Sequence, residues 1–463
     1  MSASLALKAS TFQILQKHLY AGDGLENAAI MLCHFGKGRN GFRLMVKEVI
    51  QIPASKCVKR TSTCLSWAFA EYMDTEKITQ TDREGLSVFT IHSHPNGVDT
   101  FSKIDDKNDK KLFDSVCGWF DDNRPNGSAI MLPDGKIKAR TYNPSGNFSP
   151  MDSVSIVGEN IMIWKQKKIK NKTPEYAMRI SQTFGKGTLN LLNQLKVGVV
   201  GCSGTGSIII ELLSRNCIGS LVLVDPDIVE EKNLNRIVNA KNTHAKKGVP
   251  KVEILKEAIK SMGMNVAIDT YKSDTYDKDV IEALTDCDIL FGCVDSAAGR
   301  YHLECIESAY FIPYFDIGVY LESDEEGGIS QADAVVNYVH PENTSLLSRK
   351  TYTSEQVTAD RLKRDDRDLY EKQREEGYLV GVVEDQPAVI SVNMQAACLA
   401  FNDFLARIHN FRLDNNSEFG SQRFQLVQGC YLNENCATDF DSPFKKYLGM
   451  GERSLLIQNL KRG

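Results

Sequence analysis

Two histidines, one residue apart, stand ahead of a serine and an aspartate in the stretch FTIHSHPNGVDTFSKIDD, residues 89–106. His92 and His94 point to the same side if they lie on a strand, because side chains alternate with a period of two. Ser102 and Asp105 share a face if a helix follows the loop, since residues three apart are neighbours on a helix. Two histidines, one aspartate and an open fourth position form the ligand set of a catalytic zinc site. The alternative, a polar loop with two solvated histidines, is disfavoured because the 463 residues include only eight histidines.

A hydrolytic zinc site needs a general base, and a candidate lies upstream in FRLMVKEVIQIP, residues 42–53. If this stretch is a strand, Glu48 lies in the middle of an apolar face formed by Phe42, Leu44, Val46, Ile50 and Ile52. A carboxylate in an apolar face is costly unless it is paired or takes part in chemistry. The structural alternative is an edge strand that leaves Glu48 in water. Together with the histidines, the pattern favours Glu48 as the base.

The combination of Glu48, HSHP at residues 92–95, six intervening residues and Ser102-x-x-Asp105 resembles the JAMM motif of JAB/MPN metalloproteases. The resemblance implies that zinc is held by the two histidines and Asp105, with water as the fourth ligand. It also implies that Glu48 takes the proton of that water and that Ser102 steadies the oxyanion of the tetrahedral intermediate. In that family the scissile bond follows the C-terminal tail of a ubiquitin-like protein.

A second candidate site follows the apolar strand LKVGVVG at residues 195–201. Gly201, Gly204 and Gly206 let the backbone approach a phosphate-bearing ligand at the N-terminus of the helix that follows. Asp225 ends the next strand, 21 residues after Gly204, where an acid holds a ribose in nucleotide-binding folds. Up to this point NAD and ATP fit the pattern equally well.

The residues after Asp225 separate these two ligands. Asn233, Arg236 and Lys251 converge on the same crevice, and two cations there suit a triphosphate under attack rather than a nicotinamide. Asp295, at the C-terminal end of the strand CDILFGCVD, is placed to hold a magnesium ion. A charged helical face is the alternative for Arg236 or Lys251 taken singly. As a set, these residues predict ATP and Mg²⁺ as ligands.

Taken together, these residues resemble the ThiF/MoeB fold of ubiquitin-activating enzymes, with its Asp-x-Asp and Asn-x-Asn-Arg run, over Tyr176 to Arg407. The resemblance implies adenylation of the C-terminal glycine of a ubiquitin-like or sulfur-carrier protein with release of pyrophosphate, and a conjugating enzyme as a further partner. It also implies that Arg179 reaches into the ATP site of a second subunit, and therefore a homodimer. Ser203 departs from the family, which usually has glycine at that position.

Many such enzymes pass the acyl group to a cysteine, and this sequence leaves that step open. No cysteine lies between Cys305 and Cys398, and Ser345 and Ser348 stand where related chains commonly have a Cys-x-x-Cys pair. Cys398 lies on an apolar stretch at 388–408 and is interpreted as a core residue. Either the reaction stops at the adenylate, or a cysteine elsewhere accepts the acyl group, or the chain has been altered here.

The length and composition of the chain indicate what kind of protein positions these groups. The 463 residues, 42% hydrophobic and 25% charged, suffice for two or three soluble domains. The net charge of −5 argues against bulk nucleic-acid binding. Because the sequence lacks a membrane-length apolar run and a signal-peptide layout, its twelve cysteines predict reduced thiols and a cytoplasmic location.

The chain is predicted to be an α/β protein with two catalytic domains. We expect a JAB/MPN metalloprotease domain at 1–155, a linker with a helical segment at 156–185 and a Rossmann-like ThiF/MoeB adenylation domain at 186–463. Alternation of buried strands with helices predicts a parallel sheet in the last of these. The charged segment at 348–378 predicts either a solvated helix pair or a mobile loop.

The whole resembles JAB–ThiF fusions from bacterial ubiquitin-like conjugation or sulfur-carrier operons. The leading hypothesis is a bifunctional enzyme, in which a deubiquitinase-like zinc (iso)peptidase cleaves after a ubiquitin-like tail and an adenylyltransferase activates that tail. The alternatives are activation of a sulfur carrier for thiocarboxylate formation, or a recognition platform with one inactive site. An NAD oxidoreductase is disfavoured because no stretch resembles a hydride-transfer site.

Overall fold

The computed structural model describes residues 2–143, 145–166, 173–323, 328–376, 389–435 and 442–461. The chain divides into two compact units. The first unit comprises Met1–Ile169, Ala309–Phe311 and Leu448–Ser454. The second comprises Lys170–Ser308, Ile312–Tyr447 and Leu455–Gly463. Nowhere in these described ranges is a helix both long and apolar enough to cross a bilayer.

The first unit is built on one large mixed sheet. Its strands are β1 (Ser2–Lys8), β2 (Ala28–Lys37), β3 (Gly41–Gln51), β4 (Cys57–Arg60), β5 (Leu65–Trp67), β6 (Ser87–Ser93), β7 (Asn126–Met131), β8 (Ile137–Tyr142), β9 (Phe148–Pro150), β10 (Ser153–Val157) and β11 (Ile161–Lys165). Its helices are α1 (Ala9–Leu19), α2 (Thr75–Arg83) and α3 (Lys103–Val116). Over the described residues the sheet order is β11-β10-β1-β3-β2-β6-β7-β8-β9, and β4 pairs with β5. The sheet thus includes all of β11 and the end of β10 from the residues at 156–185 that are predicted to form a linker.

The centre of this sheet is apolar on both faces. The first seven residues of β2, from Ala28 onward, are all buried, as expected for a strand covered on both sides. On one face, Leu15 of α1 packs in the same cluster as Met31. On the other, Phe113 of α3 packs in the same cluster as Ile30. Burial of a side chain such as Phe113 contributes about 1.5–3 kcal/mol, so the two helices hold the sheet from opposite sides.

A β-bulge in β3 overturns the single apolar face expected for residues 42–52. Glu48 and Val46 pair with consecutive residues of β2, so Lys47 is left out of the ladder. An extra residue of this kind reverses the alternation of side chains. Val46 therefore packs on the α1 face, whereas Ile50 packs on the α3 face. Glu48 does not lie in the middle of one continuous apolar face.

The second unit is a Rossmann-like α/β fold. Its strands are β12 (Lys196–Val200), β13 (Ser220–Val224), β14 (Ala267–Tyr271), β15 (Ile289–Gly292), β16 (Tyr314–Ser323), β17 (Ile329–Val339), β18 (Ser421–Gln425) and β19 (Cys430–Glu434). Its helices are α4 (Met178–Leu192), α5 (Gly204–Arg215), α6 (Asn242–Lys247), α7 (Lys251–Met262), α8 (Lys278–Thr285), α9 (Ala297–Tyr310), α10 (Ser354–Asp365), α11 (Arg367–Glu375), α12 (Ile390–Ile408) and α13 (Leu455–Lys461).

The sheet of this unit has the order β14-β13-β12-β15-β16-β17-β18-β19. The strands from β14 to β16 run parallel, and β17 to β19 are antiparallel additions. The predicted parallel sheet is confirmed. The charged segment at 348–378 forms the helix pair α10 and α11, and residues 377 and 378 lie outside the described chain.

The turn from β12 into α5 depends on glycine. Gly201, directly after β12, has a φ of 89°, a left-handed conformation that favours glycine. A Cβ atom on Gly206 would collide with the carbonyl oxygen of Gly201. Helix α5 therefore begins in close contact with the end of β12, and its first backbone amides lie at the carboxyl edge of the parallel sheet.

Helix α12 carries a buried ion network. Arg407 Nε donates to Asp403 Oδ2 over 2.9 Å, and Arg412 Nη1 donates to Asp403 Oδ1 over 2.6 Å. Arg407 also donates to the carbonyl oxygen of Phe419 over 2.6 Å, and its guanidinium carbon lies 3.7 Å from the ring centroid of Tyr338. The side chains of Asp403 and Arg407 are both fully buried. The charges are tolerated because each has a partner.

We expect Asp403→Ala to lower the free energy of unfolding of the second unit by about 3–5 kcal/mol, because Arg407 would stay buried without a counter-charge. Glu211→Ala is the matched control, since it removes the partner of Arg215, whose side chain is 60% exposed. That change should cost less than about 1 kcal/mol. Urea unfolding followed by circular dichroism measures both, and equal losses would contradict the importance of the buried network.

Candidate functional site

His92 and His94 lie where β6 ends. The strand is antiparallel to β2, with His92 opposite Ala28, and parallel to β7. Beyond the strand, the backbone of His94 still donates to the carbonyl oxygen of Met131 over 2.9 Å, so the chain stays extended. The two rings consequently lie on one side, with their Nε2 atoms 3.0 Å apart.

The start of α3 supplies the third group. Ser102 caps the helix, with its backbone N donating to Asp105 Oδ2 over 2.6 Å and its Oγ accepting from Asp105 N over 3.1 Å. This reciprocal capping box satisfies backbone donors at the helix start. The carboxylate oxygens of Asp105 lie 3.5 Å from His92 Nε2 and 3.7 Å from His94 Nε2.

These spacings fit a tetrahedral zinc site. Ligand atoms bound at about 2.0–2.1 Å from a tetrahedral ion stand about 3.3 Å apart, close to the distances among these three side chains. In the part of the chain that the structure describes, they form the one group of three potential ligands whose atoms all lie within 4.8 Å of one another. His94 Nδ1 lies 2.7 Å from the carbonyl oxygen of Val98, which holds the tautomer that leaves Nε2 free to ligate.

The electrostatics of the cluster favour a bound cation. Burial raises the pKa of Asp105, but the facing rings of His92 and His94 outweigh it and hold that pKa well below its usual range. Burial lowers the pKa of His94, while Asp105 and the carbonyl of Val98 raise it, with a net upward shift. The carboxylate thus stays ionised and ready to neutralise a positive charge between the rings.

Glu48 does not join this group, and its assignment as the base needs correction. Both of its carboxylate oxygens lie against Lys77 Nζ, at 2.8 and 2.9 Å, and its side chain is 41% exposed. Leu32 of β2 pairs with Glu48 on one side and with Val88 on the other. Val88 is four residues before His92 on β6, so Glu48 lies about 13 Å along the strands from the level of the histidine.

A different carboxylate, Glu26, lies beside the histidines. It directly precedes Asn27, whose backbone N donates to Ser93 Oγ over 2.9 Å and whose carbonyl oxygen accepts from Ser93 N over 3.0 Å. These bonds fasten the residues that lead into β2 to the end of β6. Glu26 is only 5% exposed and lines one groove together with His92 and Asp105.

The environment of Glu26 suits proton transfer. Burial raises its pKa, whereas the charges of His92 and His94 act to lower it. A carboxylate with a raised pKa is a better proton acceptor, provided that it stays ionised. The sequence signal was an acid at the head of the apolar run AAIMLC, but the run alone does not reveal which strand lies beside it.

The groove extends from these polar groups to an aromatic wall. It encloses about 510 Å³, and its lining includes the aromatic side chains of Trp67, Phe69 and Trp119. The ring of Phe69 lies 5.4 Å from that of Trp67 and 5.8 Å from that of Trp119, measured between centroids. A half-buried aromatic surface beside a polar cluster is typical of a binding site for an extended ligand.

In the second unit, the predicted glycine loop lies against a buried carboxylate. Asp225, directly after β13, accepts from the backbone N of Cys202 over 2.7 Å and from that of Asp227 over 2.9 Å. Lys251 begins α7, and its Nζ lies 3.7 Å from Asp225 and 2.7 Å from Asp227. Burial raises the pKa of Asp225, with Lys251 acting in the opposite direction. The fold therefore brings Asp225 and Lys251 together at the loop.

Arg236 lies over the same loop. A Cβ atom on Gly204 would stand 3.3 Å from Arg236 Cδ and would collide with the side-chain amide of Asn393. Arg236 Nη1 donates to the carbonyl oxygen of Lys232 over 3.0 Å and to Asn235 Oδ1 over 3.2 Å. Asn393 was missed because its helix, α12, reads in the sequence only as an apolar segment.

The other predicted site residues of the second unit differ in their burial and in their contacts. Asn233 is buried, and its Oδ1 accepts from the backbone N of Glu230 over 3.0 Å, so part of its side chain closes a local turn. Asp295 is exposed three residues beyond β15, at the same sheet edge as the glycine loop. Arg179 is exposed on α4 and forms no ion pair with any residue in the described ranges. Its role in a second subunit stays a prediction.

The structure also gives the environments of the cysteines and serines that were considered for transfer of the acyl group. Cys398 is exposed, so its interpretation as a core residue is wrong, because the buried face of α12 is formed by neighbouring alanines and phenylalanines. Cys202 is buried, and burial raises the pKa of its thiol far above the usual range, which makes it a poor acyl acceptor. Ser345 and Ser348 are hydrogen-bonded to each other, with 2.8 Å between their Oγ atoms.

Two family profiles match this chain. The ThiF family matches residues 176–425, which is more than half of the 463 residues. The profile of prokaryotic homologues of the JAB domain matches residues 8–141. The two matches agree with the JAB and ThiF resemblances that the motifs indicated.

Curated relatives match shorter stretches. Adenylyltransferase and sulfurtransferase UBA4 of Meyerozyma guilliermondii is 34% identical over 135 residues, 29% of this chain and 31% of the relative. Ubiquitin-like modifier-activating enzyme 5 of Caenorhabditis elegans is 28% identical over 172 residues, 34% of this chain and 38% of the relative. This chain thus spans 31% and 38% of the length of these two relatives.

Solved structures that align with this chain include Escherichia coli MccB with MccA-N7isoASN, at 17% identity and a TM-score of 0.46. That alignment covers 60% of this chain and 75% of the MccB chain. PaaA aligns at 17% identity with a TM-score of 0.42, over 59% of this chain and 86% of its own. Because both TM-scores are below 0.5, the family assignment of this chain depends on the two family profiles alone.

We expect Asp105→Ala and His92→Ala to lose zinc, because each removes one of three ligands. Glu48→Ala is the matched control and should keep zinc, since its carboxylate binds Lys77 instead. Zinc content after dialysis, measured by atomic absorption, tests this division. Retention of one zinc per chain in both ligand variants would rule out the proposed centre.

Proposed function

This chain belongs to the ThiF family and carries a JAB-related domain ahead of the ThiF region, and from that premise we propose that it both processes and activates a ubiquitin-like protein. The first unit would act as a zinc (iso)peptidase that cleaves after the carrier's C-terminal tail. The second would use ATP and Mg²⁺ to adenylate the exposed carboxylate. The observation that carries the peptidase half is the convergence of His92, His94 and Asp105, with Glu26 lining the same groove as His92 and Asp105.

The proposed peptidase step uses Glu26 as the general base. Zinc held by the two histidines and Asp105 would supply a Lewis acid and lower the pKa of water at the site. Glu26 accepts a proton from the attacking water and returns it to the leaving amine. The same carboxylate serves both transfers because it is buried beside the cluster and has no ion pair to break among the described residues.

Ser102 and the groove provide the remaining requirements. The Oγ of Ser102 accepts from Asp105 N, so its hydroxyl hydrogen remains available to donate to an oxyanion. The wall of Trp67, Phe69 and Trp119 offers apolar contact to an extended chain that reaches the cluster. A flexible C-terminal tail meets the steric demands of such a groove better than a folded surface does.

The proposed adenylation step uses the glycine loop of the second unit. A carboxylate oxygen of the tail bonds to the α-phosphorus of ATP, the bond from that phosphorus to the bridging oxygen breaks, and pyrophosphate leaves. Lys251 and Arg236 stabilise the negative charge that develops on the phosphates. Asp225 would contact the ribose, and Asp295, exposed at the same edge, would help to hold Mg²⁺, which would supply positive charge at the phosphates.

A homodimer through the second unit is part of this proposal. The exposed side chain of Arg179 on α4 is available to a second chain, as the family resemblance implies. An Arg179→Ala chain mixed with an Asp295→Ala chain should then regain part of the adenylation activity, since one hybrid site would be intact.

A second candidate function is activation of a sulfur carrier. It is favoured by similarity to UBA4, whose name includes sulfurtransferase. Adenylation is common to both functions, so the product decides between them. Mass spectrometry of the carrier after reaction distinguishes a thiocarboxylate from a conjugate. A recognition platform would bind the carrier but leave one of the two reactions undetectable.

For the peptidase, Glu26→Gln should slow cleavage of a ubiquitin-like protein fused to a C-terminal reporter by about a hundredfold or more, as loss of a general base typically does. Zinc should remain bound, since Glu26 is not one of the three ligands. Glu48→Gln makes the same chemical change in the same unit and should cleave at the wild-type rate. Loss of cleavage in Glu48→Gln alone would reverse the assignment.

For the adenylation site, Lys251→Ala and Arg236→Ala should each slow carrier-dependent exchange of radiolabelled pyrophosphate into ATP by about a hundredfold. Arg215→Ala is the control, because it removes a cation from the far end of α5. Tight NADH binding by calorimetry without any response to ATP would refute the nucleotide assignment.

A further inference from the structure

Arg140 of β8 is a buried cation that reaches the segment bearing the third metal ligand. Its residue is only 7% exposed. Its Nε donates to Ser128 Oγ on β7 over 3.0 Å, which fixes the start of the guanidinium on the sheet. The rest of the guanidinium points to α3, the helix that begins just before Asp105.

The two carboxylates that Arg140 binds both follow the metal ligand along α3. Arg140 Nη1 is paired with Asp106, the residue directly after Asp105. Arg140 Nη2 donates to Asp109 Oδ2 over 2.8 Å, one helical turn later. A single planar fork therefore holds two points of the first two turns of the helix at once.

The guanidinium also holds the loop before the helix. Its central carbon lies 3.7 Å from the ring centroid of Phe101 and 3.7 Å from that of Phe148 on β9. Phe101 directly precedes Ser102, the residue that caps α3 and bonds to Asp105. Arg140 thus contacts the chain on both sides of the ligand, at residues 101, 106 and 109.

We propose that Arg140 is a positioning residue for the metal centre, which fixes the height and rotation of α3 so that Asp105 faces His92 and His94. The inference rests on the proposed zinc site. Contacts beyond the ligands orient them, and their loss typically weakens metal binding about tenfold to a hundredfold.

The same contacts also determine which aspartate at the start of α3 is left to face the histidines. Asp105, Asp106 and Asp109 lie within two turns, and three carboxylates there would repel one another and compete for a cation. Arg140 pairs with both Asp106 and Asp109, which leaves Asp105 as the acid that faces the histidines. A variant without the arginine should therefore both misplace Asp105 and offer competing ligands.

The chain contains a close match for a control. Arg124, just before β7, also pairs with two aspartates, Asp82 and Asp122, and its central carbon lies 4.2 Å from the ring centroid of Phe120. Its side chain is 7% exposed, against 9% for that of Arg140. It holds no residue of the segment 101–109 by an ion pair.

The test compares Arg140→Met and Arg124→Met in the full chain. Zinc affinity is measured by competition with a zinc-binding dye, and the stability of the zinc-free protein is measured by thermal unfolding. We expect both variants to lose stability, but only Arg140→Met to weaken zinc binding, by about tenfold or more. Wild-type affinity in Arg140→Met, or equal weakening in Arg124→Met, would overturn the proposal.

Arg140→Lys covers the case in which the methionine variant does not fold. It keeps the positive charge but cannot bridge two carboxylates while stacking between two rings. We expect it to bind zinc less tightly than the wild type by a similar factor, and full recovery of affinity by lysine would overturn the positioning role. If the wild-type chain itself binds no zinc, the proposed centre fails and the role of Arg140 fails with it, whereas unaltered affinity in the variants refutes the role alone.

Discussion

The register of β2 against β6 is the constraint on which the first site depends. Backbone pairing sets Ala28 opposite His92, and the paired bonds between Asn27 and Ser93 continue that register beyond the strand. Because both strands are buried between two apolar clusters, a shift by one residue would move every side chain to the opposite face and misfit both clusters, so it is strongly disfavoured. The register therefore brings Glu26 to the histidines.

A comparable constraint operates in the second unit. Parallel strands that end at the same level present their following residues along one edge, which is where nucleotide ligands bind in such folds. Val200 and Val224 are register partners, so Gly201 and Asp225 both emerge directly beyond the sheet. The amide of Cys202 then bonds to Asp225, which ties the glycine loop to the neighbouring strand.

The carboxylates discussed above differ in whether a lysine or arginine is paired with them, and this difference corresponds to their proposed roles. Glu48 is occupied by Lys77 and exposed, which is the pattern of a surface ion pair of small energetic value. Asp225 is buried and approached by Lys251, which keeps a cation beside the predicted phosphate position. Glu26 is buried without a lysine or arginine partner among the described residues, a costly arrangement unless a ligand or a reaction uses it.

The sequence by itself determined much of this protein. The spacing of His92, His94, Ser102 and Asp105 is local, so strand alternation and helix capping alone were enough to predict that these side chains converge. The glycine loop and the alternation of strands and helices likewise follow from short-range patterns, and they predicted the parallel sheet correctly.

Only the tertiary structure decided which carboxylate joins the histidines. A one-residue bulge beside Glu48 reversed the alternation of β3, and no periodicity in a single strand reveals a bulge whose partner strand is unknown. The approach of Glu26 depends on pairing between segments more than sixty residues apart in the chain. The same holds for Arg140 and Asn393, whose contacts are long-range. Local patterns determine what each segment can form, whereas long-range register and packing determine which segments meet.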